Sequence, residues 1–326
     1  MAKKIAVIAG DGIGKEVTPE AIKVIKAAGL NYEYTDFDLG GERYLKDGFV
    51  LDSKTVDELA RFDAILLGAI GSPDVKPGLM EHGILLRSRR ELDQYVNRRP
   101  FKTDKHDFEV VRENTEGSYL NEGGFLKKNT QDEIATQGSI NTRKGVERCI
   151  RYAFELAQSR VHKHVTLVHK TNVLMFAGDL WKRTFAEVAT EYPYVETDYN
   201  HIDATCIYMV DNPAKYSVIV TDNLFGDIIT DLAGAVSGGI GFAASANLNP
   251  DRTTASMFEP VHGSAPDIAG QNKANPIAAI ISAAMMCEWL GDKQEAAKIE
   301  KAARNCSGEL KELSTQEIGD LVASRL

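Results

Sequence analysis

Asp227 and Asp231 stand four residues apart in the stretch YSVIVTDNLFGDIITD that begins at Tyr216. On a helix that spacing turns both carboxylates to one face. Two like charges side by side repel, so the pair asks for a cation between them. A hard divalent ion with a taste for oxygen, Mg²⁺ or Mn²⁺, suits two carboxylates with positions to spare. A solvated acidic helix face is the plainer alternative. The context favours a site: the apolar run Val218, Ile219, Val220 reads as a buried strand that ends in Thr-Asp-Asn, turns through Gly226 and enters the helix. Ligand sites of α/β proteins lie at such strand-to-helix junctions.

Other residue types fit an anionic substrate. The stretch HGILLRSRRELDQYVNRRP carries Arg87, Arg89, Arg90, Arg98 and Arg99 in an acidic protein. Guanidinium forks match carboxylates in a bidentate way, whereas a nucleic-acid patch would want interleaved aromatics and a basic flank. In an extended VNRRP segment Arg98 and Arg99 face opposite ways, so only one of them points into a site. On the preceding helix Arg87 and Arg90 share a neighbourhood and Arg89 is displaced from them. The strand-like FEVVR adds Arg112, and the glycine-rich loop after it carries Tyr119, for which a structural place is as natural as a chemical one. HVTLVHK closes on Lys170. Desolvation or nearby cations would lower its pKa and make it a base, while snorkelling at a strand end is the bland reading. Asp203 sits in a mostly apolar segment, where burial would demand a metal or a paired charge.

The elements that must position these groups read as α/β. Lys4 to Gly10 is a strand, and GDGIGKEV opens a helix from Glu16 to Ala28. Gly10, Gly12 and Gly14 give G-x-G-x-G rather than the G-x-G-x-x-G of a dinucleotide fingerprint, although NYEYTDFDL supplies Asp36 and Asp38 near the expected place. Further strands are AILLG at Ala64 to Gly68 and FEVVR. KGVERCIRYAFELAQSR is a helix with Val146, Ile150 and Phe154 on one face, and two more helices cover Ile277 to Leu290 and Lys293 to Arg304. With 326 residues, 43% apolar and 26% charged, the chain exceeds one ordinary domain and has a globular composition. A net charge of −9 argues against nucleic acid, and no apolar run reaches the length of a membrane span. MAKK passes straight into a strand, unlike a signal peptide, and Cys149, Cys206, Cys287 and Cys306 follow no metal spacing, so a cytoplasmic protein with reduced thiols is expected.

Taken in order, GDGIG, NRRP, VVRENTEG, LVHKTNVL, VTDNLFGDIITDLA and FEPVHGSAPDIAGQ resemble the isocitrate/isopropylmalate family of β-decarboxylating dehydrogenases over nearly the whole chain. The likeness is greatest to its isopropylmalate-oxidising branch in the actinobacterial form. It implies an α/β, two-domain fold that is not a Rossmann fold, a large twisted sheet flanked by helices. Residues 1–95 plus 242–326 would form a discontinuous cofactor domain. Residues 96–241 would carry the metal carboxylates and the dimer contact.

The resemblance also implies roles. Arg89, Arg99 and Arg112 match the arginines that hold the substrate carboxylates, Tyr119 the acid that protonates the enol, and Lys170 the base. Asp203, Asp227 and Asp231 match the ligands of Mg²⁺ or Mn²⁺, with Asp203 also at the substrate. Lys170 and Asp203 would reach into the site of a second subunit, making a homodimer the active unit. NAD would meet Ile13, Glu259, His262, Gly263, Ser264, Ala265, Asp267, Ile268 and Asn275, and the Asp267 carboxylate would repel a 2′-phosphate. The substrate would be a small 2-hydroxy dicarboxylate. Ile84, Leu85 and Leu86 form an aliphatic run that suits an isopropyl group, with Leu85 and Leu86 as the contacts. Lys15 in place of a proline, Ser88 beside Arg89 and a short segment between Pro100 and Phe108 depart from the pattern. A sister activity on D-malate, tartrate or homoisocitrate, and an inert NAD-binding paralogue, are the alternatives.

Overall fold

The computed structural model describes residues 2–306 and 308–326. The first part of the chain runs β1 (Lys4–Gly10), α1 (Gly14–Ala27), β2 (Glu33–Asp36), α2 (Gly41–Asp47), α3 (Ser53–Leu59), β3 (Ala64–Ala69), a π-helical turn (Glu81–Leu86) and α4 (Arg87–Glu91). The middle runs β4 (Val96–Lys102), β5 (Asp107–Glu113), β6 (Gly123–Leu126), β7 (Ile134–Gln137), α5 (Arg143–Ser159), β8 (His164–His169), α6 (Met175–Ala189), β9 (Glu196–His201), α7 (Ile202–Asp211), β10 (Val218–Thr221) and α8 (Asn223–Val236). The last part adds β11 (Ala244–Leu248), β12 (Ser256–Pro260), α9 (Ile277–Trp289), α10 (Lys293–Asn305) and α11 (Thr315–Ala323). The chain divides into two compact units, Met1–Gln94 with Gly238–Leu326, and Tyr95–Ser237.

In the first unit the strands lie in the order β2-β1-β3-β12-β11, the first four parallel and β11 antiparallel to β12. Residues Ile5 to Ile8 and Ala64 to Leu67 are fully buried on both faces, which is why these strands read as continuous apolar runs rather than alternating ones. Helix α9 is apolar all round and buried along Ile277 to Cys287, as befits a helix covered on every side.

In the second unit the order is β4-β5-β10-β8-β9, with β5, β10, β8 and β9 parallel and β4 antiparallel to β5. The carboxyl ends of the four parallel strands therefore share one edge, which carries Arg112, Asp222, Lys170 and the entry to α7. Helix α5 starts at Thr142, whose hydroxyl accepts the Gly145 amide at 3.0 Å, and buries Val146, Ile150 and Phe154 as one stripe. Burying three such side chains stabilises the unit by about 1.5–3 kcal/mol each. The β6–β7 hairpin exposes Phe125, Leu126 and Ile134.

Two expectations need correction. The helix with the acidic pair starts at Asn223, so Gly226 lies inside its first turn and is no turn residue. Asp222, with extended backbone and a side chain that accepts the Phe225 amide at 2.8 Å, is the cap that starts it. Asp203 is not buried. It stands in the first turn of α7 with its side chain 67% exposed, because the apolar residues around it belong to a helix that turns most of them outward. All four cysteines are free thiols, Cys206 the least buried of them. No helix among the described residues is long and apolar enough to cross a membrane.

Candidate active site

Four of the expected residues meet at the head of α8. Arg112, one residue before the end of β5, is 1% exposed. Its Nη1 donates to Asp227 Oδ1 at 2.6 Å, its Nε to the Asn223 carbonyl at 2.8 Å, and its Nη2 to Asn223 Oδ1 at 2.7 Å. Gly226 makes room for this, since a Cβ there would stand 2.5 Å from Arg112 Cγ. Arg99 donates from Nε to Asn97 Oδ1 at 2.7 Å, from Nη1 to the Thr230 hydroxyl, and from Nη2 to Asp227 Oδ1 at 3.4 Å. Its neighbour Arg98 turns to the other face and holds Glu109 at 2.5 Å, the alternation that an extended chain imposes. Tyr119 donates its hydroxyl to Asp227 Oδ2 at 2.5 Å, with the Arg112 guanidinium 5.0 Å from its ring centre.

The cation demanded by the acidic pair is thus met at Asp227 by two guanidinium groups. Asp231 is in a different state. Its side chain is exposed, yet packing around its base and then the like charge of Asp227 raise its carboxyl above the ordinary range. A divalent cation bridging the two would relieve that repulsion, and carboxylate oxygens are the donors Mg²⁺ or Mn²⁺ prefers, so the pair fits such an ion. Among the described residues no three His, Cys, Asp or Glu side chains of one chain converge on a metal position. Asp203 does not join the pair. It accepts from Lys170 Nζ at 2.6 Å, at the ends of β8 and β9. That couple stands two strands from Arg112 in the sheet order, roughly 10 Å at the usual strand spacing.

The first unit gathers the expected cofactor residues at the carboxyl ends of β1, β3 and β12. The Ile13 amide donates to the Ser264 carbonyl at 2.9 Å, and any Cβ at Gly12, whose φ is +51°, would collide with that carbonyl. The glycine loop is therefore shaped to meet the loop after β12 rather than to follow a Rossmann turn. Buried Asp11 accepts from the Gly41 and Gly71 amides at 2.9 Å, and Glu16 accepts from the Gly270 and Asn272 amides at 2.7 and 2.8 Å. Together these carboxylates fix three loops, before α2, after β3 and after β12. Burial holds the His262 imidazole below its ordinary pKa, and its Nε2 has no hydrogen-bond partner among the described residues. Asp267 is exposed, Ala265 has a φ of +39°, Ile268 donates its amide to the Ala265 carbonyl, and the Asn275 side chain accepts the Ile277 amide at the start of α9. An orphaned ring nitrogen, an exposed carboxylate and close-set loop amides fit a dinucleotide.

Arg89 belongs to this unit and is 7% exposed. Its Nη2 donates to Glu259 Oε1 at 2.9 Å, the same oxygen that accepts from Asn247 Nδ2 at 2.7 Å. Its buried Nε has no hydrogen-bond partner among the described residues, which leaves a donor for a substrate carboxylate. Glu259, expected at the cofactor, has its carboxylate engaged by Arg89. Of the aliphatic run, Ile84 is wholly buried in the unit's apolar core and cannot touch a substrate, Leu86 is 9% exposed and Leu85 is half-buried. The run lies in the π-helical turn, a form that recurs at functional sites.

Residues 4–324 match the protein family described as isocitrate/isopropylmalate dehydrogenase. The chain belongs to that family. It is 56% identical to the 3-isopropylmalate dehydrogenase of Corynebacterium glutamicum and 53% identical to that of Bifidobacterium longum, alignments that cover 99% and 100% of both chains respectively. Among solved structures, the isocitrate dehydrogenase of Methylococcus capsulatus superposes with a TM-score of 0.91 at 37% identity, covering 99% of each chain. A β-decarboxylating dehydrogenase of Thermococcus kodakarensis gives 0.83 at 35% identity, covering 99% of this chain and 96% of the other. As a member of the isocitrate/isopropylmalate dehydrogenase family the protein is a decarboxylating dehydrogenase, with a small carboxylate as substrate.

Several residues that hold this family's site together escaped sequence reasoning. Asn223, Asn97 and Thr230 aim the two arginines, while Asn247 holds Glu259, expected at the cofactor, against Arg89. Only Asn223 carried a sequence signal, as part of the Thr-Asp-Asn that precedes the acidic helix. The others are single polar residues in apolar strands or on a helix, and partner choice across strands leaves no local pattern.

Proposed function

We propose that the protein oxidises 3-isopropylmalate with NAD and decarboxylates it to 4-methyl-2-oxopentanoate and CO₂, a step of leucine biosynthesis in the cytoplasm. The observation that carries this reading is the convergence of Arg99, Arg112 and Tyr119 on Asp227, one helical turn from Asp231. The identity to 3-isopropylmalate dehydrogenases, well above that to the solved isocitrate dehydrogenase, supports the branched aliphatic substrate.

In this reading Arg89, Arg99 and Arg112 bind the two substrate carboxylates, which an overall anionic protein would otherwise repel. Asp227 and Asp231, completed by Asp203 of the partner subunit, would hold Mg²⁺ or Mn²⁺, and the loops at Ile13, His262 to Asp267 and Asn275 would hold NAD. When bound, NAD accepts the hydride and the metal ion polarises the oxygen on the same carbon, so that electrons released with CO₂ have somewhere to go. Lys170 takes the hydroxyl proton. Tyr119 gives a proton to the carbon that loses CO₂, its hydroxyl already held by Asp227. Leu85 and Leu86 meet the isopropyl group. Asp267 accepts from the ribose hydroxyls and excludes a 2′-phosphate, which selects NAD over its phosphorylated form.

Two observations support a homodimer. Asp203 and Lys170 pair with each other away from Asp227, and α7 and α8 leave Ile207, Val210, Leu224 and Ile228 exposed, with Val173, Met175 and Phe176 before and within α6. A second copy would cover that surface and bring its own Lys170–Asp203 couple to the first copy's acidic pair. The deciding measurement is NADH formation with Mg²⁺ on 3-isopropylmalate, D-malate, tartrate, homoisocitrate and isocitrate. The expected result is a preference of at least about tenfold in kcat/KM for 3-isopropylmalate. A preference for any of the others would overturn the substrate assignment.

A further inference from the structure

The backbone on both sides of Lys170 is held by one side chain from the neighbouring strand. Tyr199 pairs with Leu167 in the β8–β9 ladder and carries its hydroxyl to the strand ends. That oxygen lies 3.2 Å from the Thr171 amide, 2.9 Å from Thr171 Oγ1, 3.3 Å from the His169 carbonyl and 2.9 Å from His201 Nδ1. A phenol has one proton to give and two lone pairs to receive with. The Thr171 amide can only donate, so it takes one lone pair. The Thr171 hydroxyl or His201 Nδ1 fills the second, and the phenol proton goes to the other of these or to the His169 carbonyl. One atom therefore ties the residues before and after Lys170 to His201, which lies two residues before Asp203. From the other side Gly178 of α6 lets the helix press on the same turn, since a Cβ there would come 2.7 Å from Thr171 Cα. The lysine ammonium itself pairs with Asp203 at 2.6 Å.

We propose that Tyr199 is a positioning residue for Lys170: its hydroxyl fixes the direction in which the lysine leaves the strand end and its separation from Asp203. The inference rests on the assignment of Lys170 as the base. A lysine has four rotatable side-chain bonds, and a proton acceptor works only within hydrogen-bond reach of the proton it takes, so a shift of about 1 Å at the strand end is costly to the rate. No propensity explains a tyrosine hydroxyl with four polar atoms around it at the edge of a sheet.

The test compares Tyr199→Phe, Thr171→Val, their double variant and Lys170→Ala with the full-length enzyme. Phenylalanine keeps the ring, so only the hydroxyl is probed. Tyr199→Phe is expected to lower kcat on the order of tenfold while KM for NAD, whose loops lie in the other unit, stays within about twofold. The double variant should lose less than the product of the single losses, because both changes break one network. In enzyme without substrate or cofactor, acylation of Lys170 by an amine reagent, mapped by mass spectrometry, should speed up relative to the other lysines. If Lys170→Ala is inactive but Tyr199→Phe keeps its kcat and its labelling pattern, the positioning role fails and the base stands. If Lys170→Ala remains active, the base assignment fails and takes this inference with it. A loss in Tyr199→Phe that follows only a lowered Tm, with all lysines labelled faster alike, also overturns it.

Discussion

At the scale of single residues the site is a contest over one carboxylate. Asp227 receives Arg112, Arg99 and Tyr119. The two guanidinium groups pair with one of its oxygens, and the other accepts the tyrosine hydroxyl and orients it. Replacing Tyr119 with phenylalanine removes that hydroxyl but keeps the ring beside Arg112, so binding should survive and proton delivery should not. The expected outcome is a fall in kcat of about 10²- to 10³-fold, with KM for substrate and NAD little changed, read by steady-state kinetics. A variant within about twofold of the parent would show that water or another group delivers the proton. Residue-scale reasoning also separates what the chain announced from what it hid. That only one of Arg98 and Arg99 could point into the site was legible because strands alternate, and the family resemblance named Arg99. The exposure of Asp203 was not, because an apolar neighbourhood in sequence becomes an outward-facing one on a helix with a free face.

At the scale of elements, β8 and α8 bring two buried titratable groups together. His169 Nε2 lies 3.6 Å from Asp222 Oδ2, too far for a hydrogen bond. Burial pushes the Asp222 carboxyl up from 3.8 to about 6, and burial pushes His169 down from 6.5 to about 4. Between those limits the folded chain keeps a proton on Asp222 that the unfolded chain has lost, so this group makes stability fall as pH rises from about 4 to about 6. The folded chain lacks a proton on His169 that the unfolded chain binds, so this group makes stability rise over nearly the same window. The two slopes oppose each other. Asp222→Asn removes the first and keeps a cap for α8, so the Tm of the variant minus that of the parent should climb from about pH 4 to about pH 6 and then level off, by no more than about 3 kcal/mol in stability. Thermal unfolding across that range decides it, and a difference that shrinks with rising pH would refute the shift at Asp222. The elements themselves were largely legible. Runs such as IAVIAG, AILLG and VIV announce strands, and α5 shows its stripe; that the strands pair in parallel comes from the structure. The strands β9, β11 and β12 were not, since ETDYNH, ASANL and SMFEP have neither alternation nor a continuous bulky run. Their partners make them strands.

At the scale of the whole molecule the question is whether one chain completes a site. Asp227 and Asp231 sit on α8, while Lys170 and Asp203 hold each other at the ends of β8 and β9, and the apolar residues of α7 and α8 stay exposed. If a second copy covers those helices and supplies the missing pair, each site draws Asp231 from one subunit and Lys170 from the other. Lys170→Met and Asp231→Asn should then each be inactive as pure dimers. A mixed dimer, however, contains one site made of two intact halves and one made of two damaged halves. Random reassortment of equal amounts puts half the chains into mixed dimers, so unfolding the two variants together and refolding them should recover about a quarter of the parent activity. Refolding each variant alone should recover none. No gain on mixing, with mixed dimers present by native mass spectrometry, would mean that every chain builds its site from its own Lys170 and Asp203. The couple would then have to part from its place at the end of β8 before each turnover. A quarter returned would fix the smallest working unit as two chains, with the Lys170–Asp203 couple as a component that each lends to the other.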